Sequence, residues 1–324
     1  MPRQARLDAP GTLHHVIIRG TEGESIFGDD KDRQNFLSRV GQISGDTRAR
    51  IVAWTLMDTH VHILMFSGPP GLSRFMRRLL TGYAVWYNRR HHRSGHLFQN
   101  RYKSIVCEED AYLLELVRYI HLNPLRAAIV KNLEELDGYP WSGHGVLIGR
   151  SKNDWQEKEY VLRQFGETEG KARRAYRKFV EEGINQGRRS DLTGGGLVRS
   201  RGGWSQVLSL RGKKKIEHDT RILGREDFVG QILKEADKRL KRQLQMGGKK
   251  DSIDQVIKRL CKEGGIEEGG LRSGGKRRKV SEVRAKISFQ LSQEMGIPFA
   301  EIARHVGVCT SAVAKAVQTF ESAG

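Results

Sequence analysis

The chain has 324 residues, 37% of them hydrophobic, and carries 57 Lys or Arg against 38 Asp or Glu, a net charge of +19. That length accommodates two domains and a polar connector, and so large a positive excess calls for an anionic partner or screening ions. Nucleic acid is the first candidate, and a basic surface kept for solubility is the plain alternative. Cys107, Cys261 and Cys309 are odd in number and form no CxxC pair, which excludes a zinc ribbon and a disulfide framework and fits a reducing cytoplasm. No stretch of eighteen apolar residues occurs and no apolar run follows the basic start, so neither a membrane span nor a signal peptide is expected.

Residues 12–18 read as a strand ending at Arg19-Gly20, and Asp29-Asp30 supply negative charge to the start of a helix running to about Ile43. Two apolar runs, 50–57 and 60–66, separated by Asp58-Thr59, predict a hairpin. Gly68-Pro69-Pro70-Gly71 breaks the chain. Apolar residues from Leu72 to Tyr87 then recur at helical spacing and predict a helix of about 17 residues. Residues 95–106 alternate as a fourth strand, and Glu108-Glu109-Asp110 open a further helix from Ala111 to about Leu122, where Asn123-Pro124 end or kink it. The order β-α-β-β-α-β is that of a ferredoxin-like α+β domain, a four-stranded antiparallel sheet with its two helices on one face.

Beyond this domain, residues 1–149, the segment 150–205 reads as a connector with a small helical subdomain at Lys171 to Glu182 and a glycine run at Thr193–Gly196. Residues 206–324 read as mostly helical. The basic excess is concentrated there, with 26 basic and 15 acidic residues in 201–324. A second, local patch lies at 71–107, where Arg74, Arg77, Arg78, Arg89, Arg90, Arg93, Arg101 and Lys103 occur with no acid between them. They can follow a nucleic-acid backbone or form a solvated face. Tyr83, Trp86 and Tyr87 can stack on bases or fill the core.

The run Met57-Asp58-Thr59-His60-Val61-His62-Ile63-Leu64 places two histidines at alternate positions of a strand. His60 and His62 therefore share one face, where two imidazoles can chelate a metal or simply face solvent. His14 and His15 read as ordinary residues of the first strand, and His91 and His92 as part of a basic loop. On the helix from 111, Tyr119 stands four residues before Asn123, so the two share a face if the helix lasts that far. Tyr119 is then either a core ring or a hydroxyl nucleophile beside a metal ligand.

HVHIL, GHLFQNRYKS and RYIHLNPLRA, in this order and spacing, resemble the REP-associated tyrosine transposases, single-tyrosine HUH endonucleases named for a His-hydrophobic-His pair. The resemblance covers about residues 10–145. It implies a tyrosine, here Tyr119, that attacks single-stranded DNA and leaves a 5′-phosphotyrosine and a free 3′-OH. It further implies a divalent metal, Mg²⁺ or Mn²⁺, held by His60 and His62 with Asn123 where relatives use Gln or Asn. Two imidazoles and an amide oxygen leave positions open for phosphate oxygens. A phenol of pKa about 10 must be activated by the electrostatics of the site.

Residues 299–320 have the layout of a helix-turn-helix: Ala303 is small at a close crossing, Gly307 makes the turn and Val313 packs the second helix back. With the expected helix from Ser281 to Glu294, this stretch resembles the C-terminal DNA-binding domain of the bacterial replication initiator, which implies duplex binding. Thr310, Ser311, Lys315 and Gln318 are the outward candidates for DNA contact. The plain alternative is a helical hairpin.

The expected activity is that of a cytoplasmic, nucleoid-associated nuclease and strand transferase acting on single strands, with hairpin-forming repeats as substrate and a duplex-binding module beside it. A non-catalytic DNA-binding regulator is the rival. Monomer and homodimer are both open.

Overall fold

The structure, a computed structural model, describes residues 7, 8, 10–99, 101–187, 189, 192, 219, 221–247, 253–275, 277–295, 297 and 299–323, with the side chains of 237–247 and 321–323 left aside. Thr193–Gly196 and Lys276 lie outside the described residues. The chain forms two units, Met1–Lys238 and Arg239–Gly324.

In the first unit, β1 (Leu13–Arg19), β2 (Arg50–Leu56), β3 (His60–Phe66), β4 (Lys103–Cys107) and β5 (Ile222–Leu223) form one sheet in the order β2-β3-β1-β4-β5. The first four pair antiparallel, as a split β-α-β fold requires, and β5 adds parallel to β4. This short fifth strand was not expected, because two residues carry no readable periodicity. The helices α1 (Asp30–Thr47) and α2 (Leu72–Arg90) lie together on one face. Asp29 and Asp32 cap α1 reciprocally, each side chain accepting from the other's backbone N–H. Phe36, Val40 and Ile43 of α1 and Phe75, Leu79 and Tyr83 of α2 pack with Val16, Ile18, Val61 and Ile63 from the sheet.

The opposite face is covered by α3 (Glu109–His121), whose Leu113, Leu116, Val117 and Ile120 meet Leu13, Leu64, Phe66, Ile105 and Cys107. Each such side chain contributes roughly 1.5–3 kcal/mol on burial. Short helices follow, α4 (Asn123–Arg126), α5 (Leu133–Asp137), α6 (His144–Ile148) and α7 (Lys158–Leu162), and then the longer α8 (Glu169–Glu182). Val161, Leu162, Ala172, Tyr176 and Val180 belong to the same core as α3, so α7 and α8, expected in a connector, complete the first unit instead. Their apolar residues need the sheet-side core to be buried, which composition alone does not reveal.

The fourth strand is shorter than expected. Residues 95–99, 101 and 102 form no regular strand and include an isolated bridge from Phe98 to Gly20, while Leu97 and Tyr102 drop into the α1–α2 core. Gly95, at φ +94°, breaks the extended path. From β5 the chain runs into α9 (Glu226–Gly247).

The second unit contains α10 (Ile253–Glu263), α11 (Glu268–Arg272), α12 (Arg278–Phe289), continued by one π turn over Gln290–Glu294, then α13 (Phe299–Val306) and α14 (Thr310–Ala323). Val256, Ile257, Leu260, Leu271, Ile287, Leu291, Ile302, Val306, Val313 and Val317 form its core. Gly307 sits at φ +67° between α13 and α14, and a Cβ there would stand 1.8 Å from the Arg272 carbonyl oxygen. Arg284, buried in α12, donates to the carbonyls of Leu271 (3.1 Å) and Val306 (3.3 Å) and so closes the ends of two helices around that turn. No helix among the described residues is long and apolar enough to cross a membrane.

Candidate active site on the second face of the sheet

Alternation along β3 sends His60, His62, Leu64 and Phe66 to the face that α3 covers. Register places Ile17 opposite His62 on one side and Thr55 on the other, with Lys103 opposite Ile17. His15, two residues before Ile17, is the diagonal neighbour of His62. The rings of His60 and His62 are 5.1 Å apart at 80°, and those of His15 and His62 are stacked at 5.2 Å. Across this layer α3 brings the ring of Tyr119 to 6.0 Å from both His15 and His62. Three separate elements thus converge on one cluster of four rings.

Each of the paired histidines has one ring nitrogen occupied. His60 Nδ1 pairs with Thr59 Oγ1 at 3.1 Å, and His62 Nδ1 with His15 Nε2 at 2.9 Å. Neither Nε2 has a hydrogen-bond partner among the described residues. Burial is the main cause holding both imidazoles below the ordinary histidine value, with the neighbouring rings and Arg19 adding to it for His62. Neutral imidazoles with an unshared Nε2 lone pair are the form that ligates a divalent ion. His60 keeps partial exposure while His62 is 4% exposed, so His60 stands on the open side.

Asn123 is placed differently from the expectation. The helix α3 stops at His121 and Asn123 opens α4. Pro124 has no N–H to give the Ile120 carbonyl, and Asn123 Nδ2 takes its place, donating to Tyr119 O (3.0 Å) and Ile120 O (3.3 Å). The amide nitrogen is spent as a cap, which leaves Oδ1 as the one atom able to face a cation. Among the described residues no group of three His, Cys, Asp or Glu side chains is arranged to hold a metal ion. The donors available nearest that description are the imidazole nitrogens of His60 and His62, which share one strand face.

The second core also contains a buried polar chain beneath α3. Asp137 accepts from His144 Nε2 (2.9 Å) and Arg177 Nε (2.9 Å), while Tyr176 Oη lies 3.0 Å from His144 Nδ1 and 2.7 Å from His121 Nδ1. Burial pushes both histidines down and the Tyr176 phenol far up, so all three rings stay neutral. Burial raises the Asp137 carboxyl, but the bonds from His144 and Arg177 outweigh it and keep the group ionised.

Two residues here were invisible to sequence reasoning. His15 looked like a strand residue and is fully buried inside the ring cluster. Arg126, seven residues after Tyr119, holds its guanidinium 5.3 Å from the Tyr119 ring centre and donates to the Tyr119 carbonyl at 3.3 Å. Its Nε is buried without a partner. The helical spacing from Tyr119 to Arg126 was the available signal.

The arginines of α2 are not brought to this site, because α2 packs on the other face of the sheet. Arg90 is committed to Asp29 and Asp32 and pins α2 to the cap of α1, and Arg78 pairs with Asp46 at 2.7 Å. Arg74 and Arg77 are half-buried, and Arg89, Arg101 and Lys103 are exposed. Tyr83 and Tyr87 are buried in the α1–α2 core, Tyr83 donating to Ile26 O at 2.7 Å, so they are closed to base stacking, while Trp86 stays half-buried under Arg90. Lys103 alone of the basic set shares the sheet face of His62 by register. In the second unit, Thr310, Ser311, Lys315 and Gln318 are exposed on α14.

Residues 11–123 match the model of the family described as "Transposase IS200 like". Among solved structures, one titled "Structure of the REP associates tyrosine transposase bound to a REP hairpin" is 15% identical, with a TM-score of 0.39 over 48% of this chain and 98% of that chain. No curated protein matches the chain.

Proposed function

We propose that the segment matching the IS200-like transposases is a metal-assisted endonuclease and strand transferase for single-stranded DNA, with hairpin-forming repeats as its substrate class. The observation that carries this reading is the placement of the Tyr119 ring 6.0 Å from His62, with His60 5.1 Å beyond it. In this reading Tyr119 Oη attacks the scissile phosphorus and loses its proton to solvent. The bond to the 3′ oxygen breaks, the 5′ phosphate stays on the tyrosine, the 3′ oxygen takes a proton from solvent and departs as a 3′-OH, and attack by a 3′-OH reverses the step.

His60 Nε2 and His62 Nε2, with Asn123 Oδ1 as third donor, would hold Mg²⁺ or Mn²⁺. When bound, that ion supplies Lewis-acid polarisation of the scissile phosphate. Arg126 adds positive charge beside the phenol, where negative charge grows as it attacks, and Lys103 lies on the sheet face of the histidines. Arg89 and Arg101, two exposed members of the local patch, are assigned to the DNA backbone outside the site. In the second unit, Thr310, Ser311, Lys315 and Gln318 at the exposed side of α14 are assigned to duplex contact.

The test is a labelled single-stranded hairpin incubated with the full chain and Mn²⁺. Cutting with covalent attachment to the protein is expected, together with loss of attachment in Tyr119→Phe. His60→Ala should lose cutting and keep hairpin binding. Attachment that survives Tyr119→Phe overturns the assignment, and duplex binding without any cutting establishes the regulator instead.

A further inference from the structure

His15 belongs to no part of the chemistry so far, yet it is the most constrained ring of the cluster. It is fully buried on β1, and its two nitrogens face two different partners: Nδ1 lies 3.3 Å from the Leu192 carbonyl and Nε2 lies 2.9 Å from His62 Nδ1. A carbonyl oxygen can only accept, so the Leu192 bond places a hydrogen on His15 Nδ1. The ring is fully buried and neither of its bond partners is an acid, so it is neutral. A neutral ring protonated at Nδ1 has only a lone pair at Nε2, and the bond to His62 then requires His62 Nδ1 to donate. A neutral His62 is then left with a lone pair at Nε2.

We propose that His15 is a positioning residue for the metal site: the sequence of bonds from His62 Nδ1–H to His15 Nε2, and from His15 Nδ1–H to the Leu192 carbonyl, locks His62 in the tautomer whose Nε2 lone pair is available to a divalent cation. The proposal rests on the reading of His60 and His62 as metal ligands. Ligating histidines ordinarily give their second ring N–H to a carboxylate, a carbonyl or water. Here a second histidine is interposed, and it passes the constraint to the Leu192 carbonyl, 177 residues away along the chain. The arrangement also orients the His62 ring by stacking at 5.2 Å, so rotation of His62 about its side chain breaks the bond and the stack together.

Two measurements on the full chain test it. Long-range ¹H–¹⁵N correlation spectra of the metal-free wild type should place the hydrogen on Nδ1 of both His15 and His62; a His62 hydrogen on Nε2 overturns the proposal. Binding of Mn²⁺ alone, followed by loss of the free-ion paramagnetic resonance signal, should weaken about 10- to 100-fold in His15→Phe, which keeps a ring but no acceptor. His15→Gln restores an acceptor for His62 Nδ1–H and should stay within about threefold of wild type, while hairpin binding in chelator is unchanged in both variants. Undiminished Mn²⁺ affinity in a folded His15→Phe, with His60→Ala weakened, overturns the role of His15 and leaves the metal reading standing. If the wild type binds no Mn²⁺ and His60→Ala changes nothing, the metal reading itself fails and the proposal with it.

Discussion

Tyr176→Phe removes one oxygen atom and no packing volume, which makes its consequence calculable. The Asp137 carboxylate accepts from His144 Nε2, so neutral His144 presents a lone pair at Nδ1, and the Tyr176 hydroxyl donates to it. That hydroxyl then accepts from His121 Nδ1–H, which leaves His121 Nε2 as the lone pair that has no partner in the buried site. Deleting the hydroxyl strips the donor from His144 and the acceptor from His121 at once. Two buried polar groups left unpaired cost roughly 1–3 kcal/mol each, about 2–6 kcal/mol together. For a unit of this size that is a drop in melting temperature of about 4–24 °C. Because the chain of bonds anchors α3 from below, two residues from Tyr119, the loss should appear as stability and not as a defect in chemistry measured well under the new midpoint. A melting curve by circular dichroism decides it. A midpoint within about 1 °C of wild type refutes the directional chain from His121 to Asp137.

Three further outcomes follow from the same geometry. His15, His60, His62, His121 and His144 all titrate below the ordinary histidine value in the folded chain, chiefly through burial, so as pH falls the unfolded chain takes up protons first. Stability should therefore be full above about pH 6.5 and decline beneath it, with His15 alone, moved from 6.5 to about 4, contributing about 3 kcal/mol that is lost across that window. Mn²⁺ affinity should likewise hold level from pH 8 to about 6.5, and an apparent midpoint at or above 6.5 in a Mn²⁺ titration contradicts the burial of the pair. Gly307→Ala forces a Cβ against the Arg272 carbonyl at a positive φ, and should lower the melting transition of the second unit and its duplex affinity by more than tenfold. Hairpin cutting by the first unit should persist, and loss of both activities would show that the two units are not separable. Lys315→Ala should weaken duplex binding uniformly across sequences and reduce the salt dependence of log affinity by about one unit; an unchanged slope removes Lys315 from the phosphate contacts.

The strands were legible as apolar runs, β1 and β3 being buried on both faces, and the Asp29 and Gly71 boundaries announced α1 and α2. The shared face of the histidine pair followed from the two-residue repeat of a strand. Legibility was partial where one residue stands in for another's missing group. Asn123 reads as a ligand candidate by position, and only the folded backbone reveals that its Nδ2 also serves the carbonyl that Pro124 cannot reach. The basic residues of α2 read as one patch, but Asp29, Asp32 and Asp46, distant in sequence, neutralise Arg90 and Arg78 in space. The segment 150–205 read as a connector because glycine-rich stretches follow its one readable helix, yet the apolar positions of α7 and α8 find their partners in the core with α3 and the sheet.

By itself, the amino-acid sequence determined the strand and helix order of residues 12–122, the shared face of His60 and His62, and the resemblance through HVHIL and RYIHLNPLRA. Those are local properties, set by alternation, caps and spacing. Only the tertiary structure decided that α3 lies over the histidine face and α2 over the other, that His15 stands between His62 and Leu192, and that Arg126 reaches Tyr119. The reason is that a strand has two faces and its sequence is silent on what will cover either; the burial of each face is settled by packing among elements far apart in the chain.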